Sequence, residues 1–469
     1  MQVRKQILLL LGAFVGFLLL SFAALYLVRL LPMANASTHI ISAERQLLGE
    51  DGYPDAFGLN TRSENWQRDN VTDSIMLSES LPDPSLSIFQ SVLQSRYRVA
   101  QHGKAVDSAA LPTGVTMGSS RSTELVSYER YWHGYQVLLR PLFELFSYNA
   151  IRILNGLLLF ALTLLTMFLI IRKGYPKTVA VLFAMALFVT SCFIVPFSLQ
   201  FVGVFYIALA GMIVLLLLEN KKPGGIKIKM TFLLLGMFTS FIDFLTVPVI
   251  TLVLPLLMLA VTNRKNFIGV SSRKKFYKAL ILNILIWIVG YAFFWIAKWI
   301  LVALFSSNTG AISDGFTRIL GKMFVGNAST TVLHHLEAIV WNIVVLVPGT
   351  AGQSVAVRLI AIVVFLLAVG VVWYFCFKKA QGTKSSLVQN LPFLVIALIP
   401  TLWLIVFAEQ TFGVYFFANR AHLGTIYALL LFGYYTVDWN RLHKGFHQKR
   451  CLSKADQDST VASGATRID

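Results

Sequence analysis

Residues 128–146 read YERYWHGYQVLLRPLFELF. They close residues 33–149, the one long polar stretch in a chain of 469 residues, and the residues beyond it read as membrane. The chain is 56% hydrophobic and only 13% charged, where soluble domains carry nearer a quarter. Its apolar residues come in runs of about 20, the length that crosses ~30 Å of hydrocarbon as helix. A membrane barrel would show short alternating segments instead. The expected fold class is an all-α polytopic membrane protein, with about ten transmembrane helices and a long external first loop carrying interfacial helices.

Toward the N-terminus, Arg4 and Lys5 precede an apolar run over residues 7–28. Ala34-Asn35-Ala36 resembles a signal-peptidase site, but a signal core spans only ~7–15 residues. Residues 1–32 therefore read as an uncleaved first span and residues 33–150 as the external loop. Within that loop, residues 44–83 are polar and rich in turn formers. Residues 86–99 place Phe89, Val92, Leu93 and Tyr97 at helical spacing, which predicts an amphipathic helix in the interface. Residues 105–122 are rich in Gly, Ser and Pro and read as loop. Tyr128, Tyr131, Trp132 and Tyr135 form an aromatic belt ahead of the next span.

The net charge of +18 invites a nucleic-acid partner, but its distribution argues against one. Residues 33–150 hold 9 Lys and Arg against 13 Asp and Glu, a net of −4. The basic surplus lies in short turns: Arg172, Lys173 and Lys177; Lys221, Lys222, Lys227 and Lys229; Arg264, Lys265, Arg273, Lys274, Lys275 and Lys278; Lys378, Lys379 and Lys384. That pattern places these turns and both termini in the cytoplasm of a multi-pass cell-membrane protein. Residues 151–437 then form a bundle of about nine helices with an external segment at 306–355, and residues 438–469 a polar cytoplasmic tail. Both flanks of residues 230–262 are basic, so the segment enters and leaves on one side. Its two legs reach only ~22–25 Å at 1.5 Å per residue. Its tip, Asp243-Phe244-Leu245-Thr246-Val247-Pro248, should lie below the outer surface against protein or a wet cavity. Lys298 should snorkel to the outer interface.

Asp69 and Asp73 flank Asn70-Val71-Thr72 and share a face if that segment is helical. Paired carboxylates suit a general base, or a divalent-cation clamp on a phosphate leaving group; solvated loop acids are the plain alternative. Asp243, an ionisable residue in an apolar segment, marks a cavity or a buried partner, with Arg140 or Arg152 as the structural pairing. Glu129, Arg130, His133 and Arg140 crowd one membrane-surface helix, where Arg grips phosphate and His moves a proton; an interfacial anchor held by Tyr and Trp explains them equally. Arg420, with Glu409, Asn419 and His422, supplies a far wall. Adjacent His334 and His335 do not face one another on a helix. The sequons at Asn35, Asn70 and Asn327 matter only in a secretory pathway. Cys192, Cys376 and Cys451 are scattered, and the polar stretch has none, so no disulfide framework holds it. The chain has no P-loop and no dinucleotide fingerprint.

A long acidic first external loop with interfacial helices, followed by many spans, resembles the GT-C class of membrane glycosyltransferases. RYWHGYQVLLRP, SFIDFLTVP and FANRAH also resemble segments of multi-spanning proteins of Gram-positive bacteria, a likeness that brings no function. The GT-C resemblance implies a polyprenyl-phosphate-linked sugar donor, a cell-envelope acceptor and a base at Asp69 or Asp73. It also implies a donor phosphate at Arg140 or Arg152. Two features depart from that class: the turn at 196–200 carries no acid, and the first candidate acids lie some forty residues past the first span. A transporter or flippase of lipid-linked glycan is the main rival. A non-catalytic protein working with envelope-biosynthesis partners is the other.

Overall fold

The computed structural model describes residues 2–50, 52–57, 64–100, 123–306, 308, 310–323, 328–347, 354–380, 383–439 and 441. The expectations for residues 105–122, for Asn327 and for nearly all of the tail lie outside them. Among the described residues six helices are long and apolar enough to cross a membrane: α1 (Gln2–Arg29), α6 (Tyr148–Arg172), α8 (Leu199–Leu217), α11 (Val270–Phe305), α14 (Val355–Lys379) and α15 (Lys384–Val406). Four shorter ones lie among them: α7 (Lys177–Val189), α9 (Ile226–Ile242), α10 (Ile250–Thr262) and α18 (His422–Thr436). The length criterion therefore reaches six spans rather than ten. The shortfall is physical, since α7 stops at left-handed Ser191 and a 3-10 turn, Cys192–Phe197, and α10 has only 13 residues.

The described parts of the polar stretch fold into a layer across one end of this bundle. It contains α2 (Ala34–Gly49), α3 (Asn70–Ser80), α4 (Ile88–Leu93) and α5 (Gln136–Leu145). Ala36, Ile40, Ala43 and Leu47 recur at helical spacing on α2 and are buried. The α2 N-terminus is capped from α5, since the amide of Ala36 donates to Glu144 Oε2 at 2.9 Å. Residues 44–83, read from sequence as turns, thus include the end of α2 and all of α3.

The amphipathic helix expected over 86–99 is corrected. A capping box at Ser87 opens a short α4, and Arg96–Ala100 then forms strand β1, antiparallel to β2 (Thr123–Ser127) with Arg96 opposite Ser127. Tyr97 and Val99 alternate at the strand period, and aromatic and β-branched residues favour a pleated surface. The fold is therefore helical with one two-stranded ribbon.

A second group of short helices comprises α12 (Ala311–Met323), α13 (Ala328–Val344), α16 (Ala408–Gly413) and α17 (Tyr415–Ala418). His334 Nε2 on α13 meets Glu409 Oε2 of α16 at 2.9 Å.

Beneath the layer stands the hairpin α9–α10. Helices α9 and α11 cross in near-contact, because Gly236 and Gly290 face each other's backbones. A Cβ on Gly236 would lie 2.3 Å from the Trp287 carbonyl, and one on Gly290 2.5 Å from that of Leu233. Small residues permit such close approach between membrane helices. The layer grips the hairpin through an aromatic foot. The Trp132 indole donates to the Phe294 carbonyl at 2.8 Å and stacks on the Phe294 ring. The Gly134 amide donates to Phe241 O at 2.8 Å, and a Cβ at Gly134 would strike the Phe241 ring. Tyr131, Trp132 and Tyr135 are buried, so the aromatic belt is instead a wedge driven into the bundle. Lys298 is buried too, donating to Val92 O at 2.8 Å on the layer side of Trp132. The carbonyl supplies the partner that snorkelling would have sought in water.

Candidate functional site

Helix α3 carries three buried acids, and each is held differently. Asp69 is its N-cap: Oδ1 accepts from the Thr72 amide at 2.9 Å and Oδ2 from the Thr72 hydroxyl. Burial pushes its carboxyl up to about 7, against the Thr72 hydrogen bonds, and nearby Asp73 adds to the rise. Asp73 reaches the next element. It accepts from the Tyr148 hydroxyl at 2.6 Å and from the amides of Leu199 and Gln200 at 2.9 and 3.2 Å. Those amides are the orphan donors of the α8 N-terminus, where a carboxylate is favoured. Burial raises the Asp73 carboxyl, while Arg152, Tyr148 and the two amides pull it back. Arg152 donates to the Tyr148 hydroxyl at 2.6 Å and spans Asn70. Asp73 and Arg152, with the Asp69 amide donating to Ser198 Oγ at 2.9 Å, therefore form one clamp between the layer and the head of α8.

Glu79, at the other end of α3, is different. Its side chain is fully buried, Oε2 accepts from the Tyr135 hydroxyl, and His133 Nδ1 lies 2.9 Å from the same oxygen. Oε1 has no partner. The other imidazole nitrogen, Nε2, donates to the Tyr128 carbonyl at 2.7 Å, so it carries a hydrogen. Nδ1 thus faces the Glu79 carboxylate at close range but makes no hydrogen bond of its own. Burial and the Glu79 charge push the Tyr135 phenol well up, keeping it a donor.

His133 has φ 56°, and Leu245 on the hairpin tip has φ 66°. Left-handed backbone costs non-glycine residues about 1–2 kcal/mol each, and such strain gathers at functional sites. The two strained residues border one contact, where the Phe244 ring meets those of Tyr128, His133 and Tyr135. Asp243 sits beside it. It is buried, and its carboxylate accepts from the Thr246 amide and hydroxyl. Neither Arg140 nor Arg152 pairs with it, which corrects the structural pairing considered for this acid. Leg length forces the turn to fall here, and Thr246 supplies the local hydrogen bonds.

Two arginines complete the cluster. Arg140 Nη1 donates to Ser80 O at 2.6 Å, at the carbonyl end of α3. Arg29 Nη2 donates to Gln136 Oε1 at 2.6 Å. Among the described residues neither makes a salt bridge, and each leaves Nε unpartnered. Burial, with Arg29 adding its charge, lowers Arg140 to about 10. Beside them, Tyr135, Leu138, Leu142, Gln200 and Phe244 line a small slot of about 80 Å³, with Leu138 exposed at its rim.

The other sequence candidates lie apart. Glu129 accepts from Asn308 at 2.8 Å, which ties the layer to the chain just past α11. Arg420 is buried elsewhere, bonded to the carbonyls of Asn65 and Phe416. The structure thus brings His133 and Arg140 together and leaves Asp69, Asp73 and Arg152 in the α8 clamp. Sequence reasoning passed over Glu79 and Arg29. Arg29 had a signal: it is a cation at the end of the first span away from Arg4 and Lys5, the end that the positive-inside reading would leave without one. Among the described residues no group of three or more His, Cys, Asp or Glu could hold a metal ion. No protein-family model, curated protein or solved structure matches this chain.

Proposed function

We propose that this chain is an integral cell-membrane glycosyltransferase of GT-C type. It moves a sugar from a polyprenyl-phosphate donor to a hydroxyl of an extracytoplasmic envelope acceptor. The four short helices complete ten spans, and the basic turns and both termini face the cytoplasm. The observation that carries the reading is the junction of α3, α5 and the hairpin tip. There a buried acid–imidazole pair, Glu79 and His133, stands near two arginines that have no carboxylate in contact.

In this reading Arg140 and Arg29 hold the donor phosphate through their spare N–H groups. The prenyl tail lies along the lipid-facing side of α5, past Leu138 and Leu145, both exposed. Glu79, backed by His133, takes the acceptor hydroxyl proton as the acceptor oxygen bonds to the anomeric carbon. The bond from that carbon to the phosphate oxygen breaks, and the phosphate leaves with the electron pair. Glu79 is covered here, so substrates enter when α5 and the Phe244 tip part, relieving His133 and Leu245. Asp69 and Asp73 keep the layer seated on α8.

The unwound segment between α9 and α10 favours a second reading, a flippase of lipid-linked glycan, since broken helices mark transport sites. Purified protein offered a panel of polyprenyl-phosphoryl sugars and an envelope acceptor separates the two. Transfer by wild type that Glu79→Gln abolishes supports the enzyme. Movement of lipid-linked glycan across proteoliposomes with no transfer from any donor would replace it.

A further inference from the structure

Opposite the layer, at the face bearing the basic turns, lies a cavity of about 640 Å³. It opens where the ends of α6, α8, α10 and α18 meet the starts of α7 and α15. Four cationic or anionic side chains line it: Lys173, Glu219, Arg264 and Lys265. Glu219 is already used, taking Lys173 Nζ at 2.9 Å on one oxygen and the Tyr175 hydroxyl at 2.9 Å on the other. Among the described residues Arg264 and Lys265 have no carboxylate partner. Arg264 is also fixed in place. Its guanidinium lies 4.2 Å over the Tyr435 ring, Nε donates to Asn390 Oδ1, and Nη2 donates to Tyr435 O. Asn390 is buried and itself anchored on Ser386 O and Tyr435 O. Topology alone asks only that cations stay out of the hydrocarbon, and Lys221, Lys222 and Lys227 meet it as solvated side chains. It does not ask for a guanidinium held by three contacts at the mouth of a void. The rim is also apolar: Ile268 lines the cavity and is 69% exposed, and Val270 beyond it is 60% exposed.

We infer that this cavity binds the phosphate of an anionic membrane phospholipid, with Arg264 and Lys265 on the phosphate oxygens and the acyl chains leaving past Ile268. Basic pockets between membrane helices take such headgroups, and an arginine with a spare Nη is suited to phosphate.

The test is thermal unfolding of the full-length protein in detergent, titrated separately with dioleoylphosphatidylglycerol, dioleoylphosphatidylcholine and inorganic phosphate. Phosphatidylglycerol should raise the unfolding temperature while phosphatidylcholine does not. Arg264→Gln and Lys265→Gln should each raise the half-saturating lipid concentration about tenfold, ~1.4 kcal/mol. Lys275→Gln, at a neighbouring cavity, should leave it unchanged. Lys265 is exposed, so its variant keeps the test sound if Arg264→Gln misfolds. An equal response to inorganic phosphate, lost in Arg264→Gln, would support the phosphate site but assign it to a soluble anion. Equal responses to both lipids, or unchanged titrations in both variants, would overturn the inference.

Discussion

Asp73 near the start of α3 and Glu79 near its end are both buried carboxylates, yet they are held in opposite ways. Asp73 meets only donors: a phenol, two backbone amides and the charge of Arg152. Every direction from it is spoken for, and it holds a helix end. Glu79 has one oxygen bonded to a phenol, with the unpartnered His133 Nδ1 2.9 Å away, and another oxygen with no partner. A buried acceptor left open is costly. One beside an imidazole is where the proposed reaction would send the acceptor's proton. Burial alone does not distinguish the two acids. The difference lies in the groups that surround each carboxylate.

The sharpest way to break this contrast is at Glu79. Glu79→Gln should lower turnover by roughly 10²–10⁴-fold, the usual worth of a positioned base, and leave donor binding near wild type. Turnover and donor binding measured on one purified sample decide it; undiminished turnover removes Glu79 from the chemistry. Arg140→Ala should do the reverse and weaken donor binding by ~1.5–3 kcal/mol, the scale of a hydrogen bond to a charged group. Equal loss of binding and turnover in both variants would indicate damage to the layer as a whole.

At the other end, Asp73→Asn should act on stability. Asparagine offers an N–H₂ where the site presents only donors, so the variant should lose ~1–3 kcal/mol, read as a lower unfolding temperature in detergent. Per-molecule activity of the folded fraction should persist. A stable but inactive Asp73→Asn would invert the assignment of the two ends.

The last test concerns Asp69 and is read only as a dependence on pH. Its folded carboxyl, at about 7, lies above its unfolded value near 3.8. Between those values the native state holds the extra proton, so this group's contribution to stability falls as pH rises from about 4 to about 7, then levels. The slope is at most ~1.4 kcal/mol per pH unit. Asp69→Asn keeps an N-cap and should flatten that part of the profile between pH 5 and 8. An unchanged profile would mean that the Thr72 hydrogen bonds keep Asp69 ionised.

Parts of this arrangement were legible in the sequence for identifiable reasons. The long apolar runs marked the membrane helices, because crossing hydrocarbon fixes both length and composition. Residues 230–262 announced a short hairpin because chain length is a hard geometric limit, and α9 and α10 have 17 and 13 residues. Glu79 was hidden because nothing local distinguishes it; its partners His133 and Tyr135 stand far downstream and become neighbours only when α5 packs on α3. Arg96–Ala100 was misread because a few apolar residues fit both the 3.6 and the 2.0 period, and its partner strand lies beyond residue 122. His133 and Arg140 were chosen from residue type and both pack against the end of α3, whereas Asp69 and Asp73 were chosen for a spacing that serves two helix ends.

The aromatic foot of the layer also sets an order of manufacture. Trp132 docks on Phe294, 162 residues later in the chain, and Gly134 docks on Phe241. At ~5–20 residues per second of synthesis, the polar stretch emerges roughly ten to thirty seconds before its seat exists. During that interval Tyr131, Trp132 and Tyr135 have no pocket to enter, and they are left at the bilayer surface or with a chaperone. The layer can close only after α9, α10 and α11 have inserted, so a chain truncated before residue 294 should display a protease-sensitive polar domain above otherwise intact early helices.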